Sequence, residues 1–211
     1  VPDFAEVYYY ARHTTRDVVI DVFDRMVKAA EGAALGTGTT MDYEMIGGTH
    51  ELLPNLTVQK IMYDNLVKVG GVTYTNEEKA FAEKISETLG KGSPDISTAQ
   101  IVQPYKETAQ AYGSTDVGDV SYTVPTAGLG TATWVPGTPA HSWQAVAAGG
   151  MSIGSKGMMV AAKTLALTAM DIFESPKTIE AAKKELEERR GKDFKYVPML
   201  GNRPPALDYR K

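Results

Sequence analysis

Hydrophobic and polar positions in the first quarter of the chain predict a strand, a helix and a second strand. Residues 1–12 are rich in aromatic and β-branched side chains that alternate imperfectly with polar ones, which favours a strand. After Thr14 or Thr15, either of which can cap a helix, apolar residues recur at three- and four-residue spacing. Residues 39–46 alternate again until a pair of glycines interrupts them.

The character of the chain changes at Pro54 and Asn55, because proline disfavours helix at the residue before it and asparagine can cap a helix that follows. Downstream, apolar spacing predicts helices over residues 56–69, 76–89, 152–173 and 177–190. Residues 90–108 lack a period and are interpreted as a long surface loop or an insertion. Residues 120–124 and 131–135 are short and apolar, and we expect buried strands there with functional loops at their ends.

Composition narrows the classes of function. The 211 residues include 26 acidic and 22 basic ones, and no run of five or more Lys and Arg is present, so nucleic acid is a poor candidate partner. The chain has no cysteine, so a metal would need His, Asp or Glu ligands. No long apolar segment or signal-peptide pattern occurs, which predicts a cytoplasmic protein without membrane contact. The chain opens at Val1 directly in a strand pattern, and we interpret it as part of a longer protein.

Two side chains at the ends of predicted strands are candidates for chemistry. His141 lies in a loop rich in glycine and proline, where its imidazole could bind a metal, although one ligand without partners specifies no site. Arg12 could bind a substrate carboxylate with two hydrogen bonds, or it could be a solvated charge. His13 and His50 have no recognisable neighbours in the sequence and are interpreted as surface residues.

Two glycine-rich segments each allow two interpretations. Residues 113–119 carry Asp116 and Asp119 three positions apart, which indicates either a metal or substrate loop or a capped turn. Residues 149–156 nearly match a phosphate-binding loop, but Ser155 separates the glycine from the lysine. We therefore favour a helix N-terminus whose glycines allow close packing, and nucleotide binding is kept as an alternative function.

Several motifs of the chain resemble those of one enzyme family. They are VPD at 1–3, YYYAR at 8–12, EGAAL at 31–35, TGT at 37–39, LPN at 53–55, GSTDVGDVS at 113–121, GTPAH at 137–141, KGM at 156–158 and AAKT at 161–164. In this order they resemble the dinuclear-metal amidohydrolases and exopeptidases, which include aminoacylase and carboxypeptidase G. The resemblance covers nearly the whole chain.

The resemblance implies an α/β fold in two parts. Residues 1–54 would be the second half of a lid and dimerisation domain, an α+β two-layer structure of ferredoxin-like type. Residues 55–211 would be the C-terminal portion of the metal-dependent catalytic domain, in which helices flank a parallel-rich sheet. Such a lid implies a homodimer, or a heterodimer with a related subunit.

The resemblance also implies roles for four residues. His141 corresponds to the family's last metal ligand, and Arg12 to the lid arginine that binds the carboxylate of the substrate. Asp116 would orient groups near the metal without ligating it, and Gly113 would let the substrate approach the backbone. The other ligands and the general-base glutamate would lie upstream, so we expect no catalytic residue in this chain and no activity from it alone.

The activity implied by the resemblance is metal-dependent hydrolysis of the amide bond of N-acyl amino acids. Two Zn²⁺ or Mn²⁺ ions would be needed, and p-aminobenzoyl-glutamate, a folate breakdown product, would be the favoured substrate. An alternative of another class is a non-catalytic dimerisation or peptide-binding subunit that keeps the same scaffold.

Overall fold

The chain folds into helices. The computed structural model describes residues 2–107, 113–205 and 207. Its helices are α1 (Arg16–Thr37), α2 (Leu56–Val69), α3 (Asn76–Ser86), α4 (Val117–Ser121), α5 (Trp143–Gly149), α6 (Ser152–Glu174) and α7 (Pro176–Arg190), with a 3₁₀ helix at Ile96–Gln100. Val1 and Thr108, which bound two of the predicted segments, lie outside the described residues. No helix in the described part of the chain is long and apolar enough to cross a membrane.

The predicted α/β fold is wrong for the described residues, which contain no β-strand. They include neither the parallel-rich sheet expected after residue 55 nor the two-layer α+β lid expected before it. Residues 120–124 were expected to form a strand, but α4 (Val117–Ser121) runs into them. The other two predicted strands in this group, residues 39–46 and 131–135, have no regular secondary structure. Alternation assigns side chains to two faces, but a strand also needs a hydrogen-bonded neighbour and a layer that covers one face. The consecutive side chains of Tyr8–Tyr10 are 67–78% exposed, so neither face is covered.

The predicted helices are confirmed, because their signals are local. Helix α1 follows Thr15, which takes the predicted N-cap position without a side-chain hydrogen bond. The helix ends at Thr37, and the left-handed φ of 68° at Gly38 lets the Gly38 N–H bond to the carbonyls of the last turn. Helix α2 has the predicted bounds, and α6 and α7 differ from prediction by one residue at one end. Helix α3 ends three residues early.

The described residues form two compact units. Unit 1 contains the described residues within Val1–Leu53, Tyr112–Thr123 and Asp193–Lys211. Unit 2 contains the described residues within Pro54–Ala111 and Val124–Lys192. Unit 1 therefore holds α1 and α4, and unit 2 holds the other helices. In unit 1, Arg203 of the C-terminal segment pairs with Glu44 at 2.8 Å and donates to the carbonyl of Met45 at 2.9 Å.

Unit 2 contains the hydrophobic core. Helix α2 packs on α6 and α7, and α5 packs on α6. The buried core residues are Val72, Tyr74, Ala82, Ile85, Ala99, Val135, Ala148 and Ile153. Polar contacts fix the helices further: Asn55 donates to the Ala182 carbonyl at 2.8 Å, and Glu185 accepts from the backbone N–H groups of Leu56 and Thr57 at 2.6 and 2.8 Å. A carboxylate at the start of α2 is favourable because the helix dipole is positive there.

Candidate functional site

The loop that carries His141 is built on the core of unit 2. Val135 anchors its start and is 1% exposed. Gly137 adopts a φ of 86°, and a Cβ there would lie 2.9 Å from the Cβ of Ser93, so only glycine fits. At the far end, Ser142 caps α5 by accepting from the Ala145 N–H at 3.2 Å. The loop is thus fixed at both ends while its tip stays open to solvent.

His141 sits at this tip in a strained conformation. Its φ is 59°, and among the described residues no other non-glycine residue has positive φ. The side chain is exposed, and its ring has no hydrogen-bond partner among those residues. Strained backbone of this kind concentrates at functional sites. The arrangement presents an imidazole that is free to bind a metal or a ligand, and its assignment as a metal ligand stays a prediction.

An open cavity of about 430 Å³ lies beside His141. The residues that line it are Trp134, His141, Ser142, Trp143, Ala145 and Val146. No Asp, Glu, Lys or Arg contributes to this lining among the described residues. The cavity therefore offers apolar and aromatic walls with one imidazole at the edge.

The described residues do not hold a complete metal centre. No three His, Asp or Glu side chains among them are close enough together to bind one ion. Since a catalytic zinc normally takes three protein ligands, His141 could contribute only one of a set. The described residues by themselves therefore do not complete the two-metal site that the resemblance implies.

Arg12, predicted to bind a carboxylate, is exposed in unit 1. Its guanidinium carbon lies 6.0 Å from the ring centroid of Tyr10, which is the outer limit of a cation–π contact. No carboxylate among the described residues pairs with it. The side chain thus keeps its hydrogen-bond donors available for a ligand.

The segment at residues 113–119 separates its two carboxylates. Gly113 and Asp116 are exposed, and Asp116 occupies the N-cap position of α4 without a side-chain capping bond. Asp119 points into unit 1, where it bonds to His50. Both predicted roles in this segment, for Gly113 and for Asp116, stay predictions. The segment forms the short helix α4, but the side-chain cap that one of its two interpretations expected is absent at Asp116.

The interpretation of His50 as a surface residue is wrong, because it is 3% exposed. Its Nδ1 lies 2.7 Å from Oδ1 of Asp119 and its Nε2 lies 2.8 Å from a guanidinium nitrogen of Arg16. Guanidinium can only donate, so Nε2 accepts and Nδ1 carries the proton that is donated to Asp119. Tyr196 also donates to Oδ1 of Asp119, at 2.9 Å. His13, by contrast, is exposed as predicted.

This buried His50 cluster, defined as Arg16, His50, Asp119 and Tyr196, is a structural element of unit 1. The imidazole side chain has no exposed surface, and both ring nitrogens are engaged. It can therefore neither bind a metal nor act on a substrate without local opening. Sequence reasoning missed it because its members come from four separate segments, and the only signal was Asp119 in a segment already noted.

Lys156, from the segment that resembles a phosphate-binding loop, is also engaged elsewhere. Its Nζ lies 2.5 Å from Oε2 of Glu78 and 2.9 Å from the carbonyl of Thr73. The hydrogen bond from Lys156, with a further one from Ser152, lowers the pKa of Glu78 to about 2. Gly157 contacts Ala132 so closely that a Cβ would lie 2.5 Å from its carbonyl oxygen. The segment is thus a tightly packed helix N-terminus, which was the favoured interpretation.

Comparison with known proteins identifies relatives that are hydrolases. The chain is 33% identical, over 96% of its length, to a subunit of the p-aminobenzoyl-glutamate hydrolase of Escherichia coli. It is 27% and 26% identical, over 89% of its length, to the Xaa-Arg dipeptidases of Mus musculus and Homo sapiens. No family model matches the chain, and no solved structure matches it significantly.

The matches cover only part of each relative. The chain spans 47% of the bacterial protein and 37% and 36% of the two dipeptidases. The names of two of these relatives describe cleavage of a dipeptide, and the name of the third describes hydrolysis of an acyl-glutamate. The resemblance found in the motifs is confirmed, since the relatives that the chain matches are members of the family of amidohydrolases and exopeptidases.

Proposed function

We propose that the protein of which this chain is a part hydrolyses the amide bond of N-acyl amino acids in the cytoplasm, with p-aminobenzoyl-glutamate as the favoured substrate. The observation that carries the proposal is the 33% identity to the p-aminobenzoyl-glutamate hydrolase of Escherichia coli along 96% of this chain. The two dipeptidases support the same bond type, since an amide that ends in a free amino acid is common to all three named substrates.

In this proposal Arg12 binds the carboxylate of the amino acid. Its exposure and its lack of a carboxylate partner among the described residues support that role. A guanidinium matches a carboxylate with two parallel hydrogen bonds, which fixes the direction of the scissile amide. Gly113 would leave room for the substrate near the backbone, and Asp116 would orient neighbouring groups.

His141 supplies one ligand to a metal centre, either Zn²⁺ or Mn²⁺, in the same proposal. When bound, such ions supply Lewis-acid activation of water and carbonyl oxygen. The described residues lack two further ligands, so the centre would need residues from outside the described part of the chain. For that reason we expect this chain alone to be inactive, and no catalytic step is assigned to its residues.

A second candidate function is a non-catalytic dimerisation or peptide-binding subunit. The observation that favours it is that the bacterial relative is itself named as a subunit, which supports a heterodimer with a related chain. A homodimer stays the alternative. The ligands upstream of this chain decide between the two functions, since an intact set of His, Asp and Glu is needed for hydrolysis.

The deciding experiment is hydrolysis of p-aminobenzoyl-glutamate by the complete protein, with any partner subunit, after loading with Mn²⁺ or Zn²⁺. We expect cleavage by the wild type and a loss of bound metal and of kcat in His141→Ala. Arg12→Ala should mainly raise KM, by roughly 10- to 100-fold, because it removes hydrogen bonds to a charged group. Arg25→Ala is the matched control, since Arg25 is an exposed arginine whose only ion pair among the described residues, with Asp21, is 4.0 Å long.

The two functions give different results in this experiment. If the metal-loaded protein cleaves neither this substrate nor other N-acyl amino acids, the hydrolase proposal is wrong and a binding role is favoured. If cleavage occurs but His141→Ala retains full metal content, the ligand assignment alone is wrong.

A further inference from the structure

Both tryptophans of the chain lie in the same cavity. The sequence contains two, Trp134 and Trp143, and both line the 430 Å³ cavity beside His141. They are 37% and 60% exposed. Tryptophan is the largest side chain and is usually well buried in a folded protein, so two exposed ones on one cavity favour a binding surface.

The two tryptophans flank the His141 loop along the chain. Trp134 precedes the loop, and a Cβ on Gly149 would lie 3.6 Å from its Nε1, so its ring lies against the end of α5. Trp143 is the first residue of α5 and follows the Ser142 cap. Neither indole N–H has an acceptor among the described residues. Two aromatic faces and two free donors are therefore available to a ligand.

The chemistry of the lining selects one kind of occupant. The cavity volume lies in the range of roughly 300 to 1,000 Å³ found for small-molecule sites. Its lining contains no lysine or arginine among the described residues, so it offers no partner for a carboxylate. In the same part of the chain it contains no acidic residue to attract a cationic group either. A flat, neutral, aromatic group that stacks on indole fits these walls.

We propose that Trp134 and Trp143 form the subsite for the acyl group of the substrate and select an aromatic acyl group over an aliphatic one. This inference rests on the proposed hydrolase function, and it adds the determinant of acyl specificity. His141 at the edge of the cavity places the subsite next to the predicted metal ligand, which is where the acyl half of a scissile amide would lie. The carboxylate half binds elsewhere, since the described lining of this cavity has no cation for it.

Fluorescence of the complete protein tests the subsite directly, because any change in emission that is lost in the double variant Trp134→Leu/Trp143→Leu reports from these two tryptophans. We expect p-aminobenzoyl-glutamate and p-aminobenzoate to quench the emission saturably, whereas glutamate and acetyl-glutamate do not, with a free tryptophan amide correcting for absorption by the ligand. Trp134→Phe and Trp143→Phe leave one reporter each and should still show quenching. Quenching that does not saturate, or that acetyl-glutamate produces equally, overturns the proposal.

Kinetics of the complete protein test specificity. Trp143→Leu should raise KM for p-aminobenzoyl-glutamate by about tenfold and leave KM for acetyl-glutamate within about twofold, because one aromatic stacking contact is lost. Trp143→Phe keeps an aromatic ring, so its KM for p-aminobenzoyl-glutamate should lie close to that of the wild type. Phe173→Leu is the control, since Phe173 is 83% exposed on α6 and outside the lining.

The outcomes separate the two proposals. If Trp143→Leu changes KM equally for p-aminobenzoyl-glutamate and acetyl-glutamate, the subsite proposal is wrong and the hydrolase function stands. Saturable quenching without hydrolysis of any acyl amino acid supports the aromatic subsite and overturns the hydrolase. A further outcome also overturns the subsite. If acrylamide does not quench Trp134 and Trp143 in the complete protein, the rest of the protein covers them and no acyl group can reach them.

Discussion

The Nζ of Lys156 lies 2.5 Å from Oε2 of Glu78 and joins the first turns of α6 to the beginning of α3. Glu78 also completes a capping box with Thr75, whose backbone N–H donates to Oε2 at 2.6 Å. The side chain of Glu78 is 6% exposed, whereas that of Lys156 is 36% exposed, so the carboxylate is buried and the ammonium reaches it from the surface. Its ionised form is therefore held by three donors, the ammonium of Lys156, the hydroxyl of Ser152 and the backbone N–H of Thr75.

This contact predicts a dependence of stability on acid. Hydrogen bonds, chiefly from Lys156, lower the pKa of Glu78 from 4.5 to about 2 on folding. A lowered pKa stabilises the fold above pH 4.5, and the contribution is lost as the pH falls from about 4.5 toward 2. We expect the loss to be on the order of 2 kcal/mol in the free energy of unfolding. Urea denaturation of wild type and Glu78→Gln across this range measures it.

The two curves should converge at low pH, since protonation removes the same charge that the substitution removes. Lys156→Met should also lose part of the dependence, whereas Lys163→Met, at an exposed position of α6, should retain it. Parallel curves for wild type and Glu78→Gln would contradict the assignment.

The His50 cluster predicts a large difference between two histidines. His50→Phe removes the hydrogen bonds to Asp119 and Arg16 and leaves both charges without that partner. We expect it to lower the free energy of unfolding by about 2 to 4 kcal/mol. His13→Phe should change it by less than about 0.5 kcal/mol, because His13 is exposed. Chemical denaturation compares them, and equal effects would show that the cluster contributes nothing.

Close backbone packing at Gly118 makes a further prediction. A Cβ on Gly118 would overlap the carbonyl oxygen of His50, so the α4 backbone would have to move. Gly118→Ala should therefore lower the melting temperature by several degrees, roughly 2 kcal/mol in stability. Gly128→Ala is the matched control, since nothing in the described part of the chain lies within 4 Å of its Cβ position. A thermal melt in which both variants match the wild type would refute the steric argument.

The backbone of His141 gives a prediction that is independent of metal. Its φ of 59° disfavours side chains that carry a Cβ, and glycine adopts it without strain. Both His141→Gly and His141→Ala remove the imidazole, but the glycine variant should be more stable by about 1 kcal/mol. Unfolding of the two variants without added metal makes the comparison. A more stable alanine variant would mean that the loop relaxes out of this conformation.

Local signals in the sequence predicted the five longer helices but not the short helices α4 and α5, and tertiary contacts account for what those signals left out. Asn55 caps α2 with its own side chain, so the start of that helix could be predicted from neighbouring residues. The exposed tyrosines at 8–10 follow a strand pattern without a paired neighbour among the described residues, and a pattern alone does not supply one.

The same distinction applies to the candidate site. His141 stood out because its loop is rich in glycine and proline, and the structure adds the positive φ and the flanking tryptophans. His50 could not be predicted, because Asp119 lies 69 positions away along the chain. Which side chain a distant residue meets depends on packing that no local pattern encodes.

Helix α1 has 22 residues, yet none of them is buried by the described part of the chain. Its apolar side is covered only in part, so little free energy opposes the separation of its turns from the rest of unit 1. Amide hydrogens in α1 should consequently exchange with deuterium earlier than those in α6, which carries five buried residues. Helix α1 should therefore unfold locally at a low free-energy cost while α2 and α6 stay folded.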